Sequence, residues 1–206
     1  GAISRQLADG LHQTEIRYGQ KVKKVEEGAV FLEDGSVLQA DATLVAVPMD
    51  RETGEMGDSG LRWKRCDNLY FTVEERNFEE GIIGLVAEEK ALVNNLYYPF
   101  GQSVDGRPLL SATVVKAHGL DREILAARVR GDLESYCGIA AGKLLKHYAI
   151  QQALPDLTNV QMALSSQQVS LSDKVFLAGD SLLSGSLNAA MASGEAAAMA
   201  LADGIR

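Results

Sequence analysis

The stretch "VFLAGDSLLSGSLNAAMASGEAAAMALADG", residues 175–204, decides how this chain is read. An apolar run ends in Gly179-Asp180, a short Ser/Gly/Leu loop follows, and the rest is almost wholly Ala, Met, Ser and Gly. The order predicts strand, loop and helix, with the helix starting near Leu187 or Asn188. In open α/β folds ligands sit beyond the carboxyl ends of strands. Asp180 falls at that end, where a carboxylate can accept hydrogen bonds from the hydroxyls of a sugar or polyol. The helix start adds free N–H groups and the positive end of a dipole. Helix propensity accounts for the alanines. It does not account for Ser193 and Gly194 in the helix interior, which point to close approach of another backbone.

Upstream, "ISRQLADGLH" (3–12) puts Ile3, Leu7, Ala8 and Leu11 on one helical face. From 14 to 48 the period shortens to that of strands. Ile16 and Tyr18 alternate with polar neighbours, and so do Val22 and Lys23. Asp34-Gly35, between Val30/Leu32 and Val37, predicts a tight hairpin turn. The apolar run "ATLVAVP" (42–48) predicts a strand buried on both faces. Residues 49–62 are polar and Gly-containing and read as a loop.

Four strand-like runs follow, "NLYFTVEE", "GIIGLVAEE", "ALVNNLYYPF" and "PLLSATVV", which predict an antiparallel or mixed sheet. "DREILAARVRGDLESYCGI" predicts a helix capped by Asp121, with Ile124, Leu125, Val129 and Leu133 on its apolar side. "GKLLKHYAIQQAL" predicts a second helix ending at Pro155, and "NVQMALSSQQVS" a strand.

Composition narrows the function. The chain has 206 residues, 46% of them hydrophobic, enough for a real core. A net charge of -8 argues against nucleic acid as the main partner. Cys66 and Cys137 are the only cysteines and form no metal-ligand pattern, so two free thiols are expected and no zinc site. No run reaches the roughly 18–20 apolar residues of a membrane span, and a cytoplasmic location is the expectation. "GIAAGKL" lacks the spacing and the final Ser/Thr of a phosphate loop and reads as a helix turn. Leu183 stands where a nucleophile elbow around Ser181 needs glycine. His12, His118 and His147 are scattered, and each reads as a surface or packing residue.

Residues 175–201 resemble the C-terminal flavin-binding signature of the FAD-dependent amine oxidase and phytoene desaturase superfamily. "GAISRQLADGL" resembles the helix after that group's Gly-Gly turn. "GQKVKKVEEGAVFLEDGSVLQADATLVAVP" is similar to its adenine-contacting segment, and the middle of the chain to its substrate domain. The resemblance spans nearly the whole sequence in the family's order. It implies an α/β (α+β) fold, with a mixed β-sheet substrate-domain part and a partial FAD-binding layer carrying the small-residue C-terminal helix. The layer would comprise residues 1–50 and 161–206, and the substrate part residues 51–160.

By the same resemblance, the Gly179-Asp180 pair places Asp180 on a ribityl hydroxyl of FAD. N–H groups around Asn188, Ala189 and Ala190 would face the N1/C2=O edge of the flavin. Val22 would hold adenine through its main chain, and Ser193 and Gly194 would let the helix lie against the dinucleotide-binding unit. The implied activity is hydride transfer from an apolar or amine small molecule. No side chain stands out as catalytic; Trp63, Tyr97 and Tyr98 are candidates for a substrate pocket or for the core.

Two departures qualify this. Ala189 stands where the family usually has glycine. The G-x-G-x-x-G pyrophosphate grip is absent from the 206 residues, so the chain resembles the C-terminal half of such an enzyme. FAD binding by this chain alone is expected to be weak or absent, and the apolar helix surface is expected to be covered by an N-terminal half or by a second copy. The alternative is a cofactor-free partner-binding or non-catalytic module derived from the same fold.

Overall fold

The computed structural model describes residues 2–57 and 60–204. In chain order the elements are α1 (Ala2–Asp9), β1 (Val22–Glu26), β2 (Ala29–Leu32), β3 (Val37–Gln39), β4 (Thr43–Val45), β5 (Trp63–Val73), β6 (Ile83–Leu85), β7 (Val93–Tyr97), β8 (Ser103–Val104), β9 (Arg107–Val114), α2 (Arg122–Cys137), β10 (Ala141–Pro155), α3 (Ser166–Val169), β11 (Val175–Leu177) and α4 (Leu187–Gly204). They fall into two units, residues 1–61 with 160–206, and residues 62–159.

In the first unit β1, β2 and β3 form an antiparallel meander. Its β2–β3 turn is the expected Asp34-Gly35 turn. Asp34 Oδ1 accepts from the Ser36 N–H at 2.9 Å, and Gly35 takes φ 87°, which a residue without Cβ adopts freely. Gly54 is also obligatory. At φ 73°, an added Cβ there would overlap the Val25 carbonyl oxygen. β11 and β4 pair in parallel, Val175 with Thr43 and Leu177 with Val45. Alternation along β11 splits its side chains between two clusters. Val175 and Leu177 join Val25, Val45 and Met49. Phe176 meets Val169, Ala197 and Ala200, so the alanines of α4 are what let helix and strand approach.

The second unit is one antiparallel sheet in the order β10-β5-β9-β7-β6, with β8 paired to β9. Helix α2 covers one face. Leu125, Val129 and Leu133 pack on Leu69, Phe71, Leu110 and Val114, all at or near zero exposure. Each such side chain contributes about 1.5–3 kcal/mol by leaving water. Asp121 caps α2 by accepting from the Glu123 and Ile124 N–H groups, and Gly138 ends it at φ 65°. The buried Asp132 ties α2 to β7, accepting from the Leu92 N–H at 2.6 Å.

Several expectations are corrected. "GKLLKHYAIQQAL" is not a helix but most of β10, the longest strand. Pairing with β5 along its length overrides the helical spacing, and "GIAAGKL" runs into that strand rather than forming a helix turn. Residues 14–20 form no strand. "NVQMALSSQQVS" is irregular chain leading into α3, closed by Gln168 Oε1 accepting from the Ser165 N–H. β4 is not buried on both faces: Leu44 is partly and Val47 largely exposed, because only β11 flanks it in a two-stranded ladder. Ile124 points outward from α2, and the apolar face of α1 is uncovered among the described residues.

Candidate functional site

The ladder of β11 and β4 is extended past Leu177 by the Ala178 N–H, which donates to the Val45 carbonyl at 2.9 Å. The chain then turns at Gly179, whose φ of 137° and ψ of 159° suit glycine almost alone. A single 3-10 turn, Asp180–Leu182, follows and packs on α4. The turn is locked from behind by Ser193. Its Oγ, fully buried, accepts from the Gly179 N–H at 2.8 Å and donates to the Ala190 carbonyl at 2.9 Å. A small hydroxyl in mid-helix is therefore explained: it accepts from the Gly179 N–H and so helps fix the glycine in front of Asp180. The neighbouring Gly194 is different, since a Cβ added there meets no described atom within 4 Å.

Asp180 is half-buried, and its carboxylate has no hydrogen bond or ion pair among the described residues. Ser186 caps α4. Its Oγ accepts from the Ala189 N–H at 3.1 Å and its carbonyl from the Ala190 N–H at 3.0 Å. The Ala189 and Ala190 N–H groups are thus bonded within the chain, and among the described residues the Leu187 and Asn188 N–H groups at the start of α4 have no partner. The loop presents the unpartnered Asp180 carboxylate and the Leu187 and Asn188 N–H groups at the positive end of a helix. That set suits a hydroxyl-bearing chain joined to a carbonyl-bearing, electron-rich group. A small cavity of about 90 Å³ opens beside it, lined by Val47, Arg51, Leu177 and Ser181 among others. Val22 lies on β1, half-buried against the cluster of Val25 and Val45 that Leu182 also joins. The outward side of α4 exposes Leu187, Met191 and Met199.

In the second unit the three aromatic candidates separate. Tyr98 is core: it is 1% exposed, its ring lies 4.6 Å from Phe78 and its hydroxyl donates to Asn77 Oδ1. Tyr97 lies on the sheet face away from α2, where Asn68 bonds Thr113 and Ser111 and where Tyr70 meets Tyr148 edge-on at 6.0 Å. Burial, with Tyr97 beside it, holds the Tyr70 phenol above its ordinary pKa. Trp63 lines a half-open groove of about 790 Å³.

Two of the three histidines, His118 and His147, converge in space, while His12 is exposed. His118 Nε2 lies 3.0 Å from one oxygen of the buried Asp67 and His147 Nε2 lies 2.7 Å from the other, with Arg65 at 3.3 Å. Burial pushes the Asp67 carboxyl up, but the hydrogen bonds from His147, His118 and Arg65 outweigh it and hold the group below its ordinary range. No spacing rule could have found this trio, because Asp67 precedes its partners by 51 and 80 residues. Among the described residues no group of three or more His, Cys, Asp or Glu side chains is arranged to hold a metal ion, and no helix is long and apolar enough to cross a membrane. Cys66 and Cys137 are free thiols, as expected.

A family model described as "Flavin containing amine oxidoreductase" matches residues 1–202. No curated protein matches significantly. Among solved structures, a variant of putrescine oxidase is similar with a TM-score of 0.65 at 14% identity, covering 99% of this chain and 52% of that one. A fatty acid isomerase from P. acnes that produces CLA is similar with a TM-score of 0.62 at 16% identity, covering 96% and 50%. Reduced UDP-galactopyranose mutase follows with a TM-score of 0.56 at 12% identity, covering 75% and 40%. At these identities the likeness is one of fold. The chain spans about half the length of these proteins.

Proposed function

Because the chain belongs to the family of flavin-containing amine oxidoreductases, we propose that it serves an FAD-dependent oxidoreductase, supplying the flavin-facing layer from residues 1–50 and 161–206 and the substrate layer from 51–160. The observation that carries this reading is the unpartnered Asp180 carboxylate beside the free Leu187 and Asn188 N–H groups, on a turn fixed by Gly179 and Ser193. Asp180 would accept a hydrogen bond from a ribityl hydroxyl. The two N–H groups would donate to the N1/C2=O edge, where the helix dipole also favours negative charge. Val22 would take the adenine through its main chain. When bound, FAD supplies the acceptor for a hydride leaving a C–N or C–C bond.

The protein's own part is to hold and orient: Asp180 and α4 position the ring system, and the sheet face around Tyr70, Tyr97 and Tyr148 forms a wall for an apolar or amine substrate. Leu187, Met191 and Met199 mark the surface that a dinucleotide-binding half or a second copy would cover. Without a G-x-G-x-x-G loop in these 206 residues, FAD is held weakly and is lost on desalting.

The test is an equilibrium titration of FAD fluorescence with wild type and Asp180→Ala. A hydrogen bond to a charged acceptor is worth about 1.5–3 kcal/mol, so the variant binds roughly ten-fold or more weakly. Equal affinities would remove Asp180 from the site. No binding by wild type at any concentration would favour the cofactor-free module.

A further inference from the structure

We propose that the groove at the Trp63 end of the second unit's sheet binds an amphipathic molecule with a carboxylate head and an alkyl body, in preference to a cationic amine. The inference deepens the substrate-layer reading above and rests on it. The groove has a structural cause. The β10–β5 ladder slips between Ile150 and Leu154, and the bulged residues open a space of about 790 Å³, within the range of roughly 300–1,000 Å³ typical of small-molecule sites.

Its walls are mostly apolar in area, with the polar Asn94, Asn95, Thr113 and Gln152 interspersed. Val115, Ile150 and Leu154 line it and are 47%, 42% and 45% exposed. Trp63 adds an aromatic face. The charges are one-sided. Lys64 and Arg65 are in the lining and no carboxylate is. The nearby carboxylates are already committed: Asp156 is shared by Arg62 and Lys64 at 3.7 Å each, and Asp67 is buried under Arg65, His118 and His147. Three cations thus face two acids, and the Lys64 side chain remains 63% exposed. An ammonium head would meet this surplus with only the neutral oxygens of Asn94, Asn95, Thr113 and Gln152 as acceptors and no carboxylate. A carboxylate would meet Lys64, with its alkyl body on Trp63, Ile150 and Leu154.

Trp63 is the only tryptophan in the sequence, so its fluorescence reports on the groove directly. The full chain is titrated, without FAD, with dodecanoate, dodecylammonium and dodecanol below their micelle concentrations. The expected result is a saturable change with dodecanoate at an affinity about ten-fold or more above that of dodecylammonium, falling as salt is raised. Lys64→Glu, at an exposed position, abolishes that preference while dodecanol binding is unchanged. The proposal is overturned if dodecylammonium binds as tightly, if dodecanoate gives no saturable change, or if the preference survives Lys64→Glu with no salt dependence. Because no flavin is present, failure here is separate from failure of FAD binding at Asp180.

Discussion

Replacing Ser193 with Ala tests whether the bond behind Gly179 fixes the candidate loop. Ser193 Oγ is fully buried and is the partner of the Gly179 N–H. Removing it leaves that N–H without an acceptor, at a cost of about 1–3 kcal/mol. Alanine returns about 0.5 kcal/mol through its higher helix propensity. The net loss is about 0.5–2.5 kcal/mol. With a urea slope near 2 kcal/mol/M, the unfolding midpoint falls by about 0.25–1.25 M. Amide exchange supplies a local readout. The Gly179 N–H, protected in wild type, exchanges faster in the variant, while the β5 and β9 amides keep their local protection. FAD affinity falls as well, because Asp180 follows directly on Gly179. An unchanged or raised midpoint, with Gly179 still protected, would refute the reasoning.

The next residue has the opposite sign. Gly194→Ala places its Cβ in open space on a helix without positive φ, so stability rises by up to about 1 kcal/mol in the same urea experiment. Asp67→Asn removes a buried carboxylate that serves three donors and costs about 2–3 kcal/mol at neutral pH. Its folded pKa is lowered, so its contribution is full above the ordinary Asp value of about 3.9 and is lost as pH falls through the lowered one. Asp67→Asn therefore shows a shallower acid limb than wild type in denaturant midpoints measured below about pH 4.

Much of the fold was legible because local chemistry agrees with it. Asp34-Gly35 made its turn, Asp121 capped α2, and the run 175–204 folded as strand, turn and helix with α4 starting at Leu187. β10 was illegible for a physical reason. Its ladder with β5 slips at three places, and each slip breaks the period-two alternation by which a strand is recognised. Residues 159–170 carry apolar side chains without burying most of them, Met162 being 94% exposed, so their pattern misled. At the candidate loop, the Gly179-Asp180 pair and the helix start could be seen in the sequence. Which N–H groups stay free could not, because Ser186 claims those of Ala189 and Ala190 only once the chain has turned. The Asp67 trio depends wholly on strand pairing and on the loop after β9.

The most direct test of the central claim is an amide correlation spectrum of the labelled chain recorded as FAD is added. Progressive, saturable shifts at Gly179, Asp180, Leu187 and Asn188, larger than any in residues 62–159, are the predicted result. Shifts confined to 62–159, or none at those four residues at concentrations where FAD fluorescence reports binding, would contradict it.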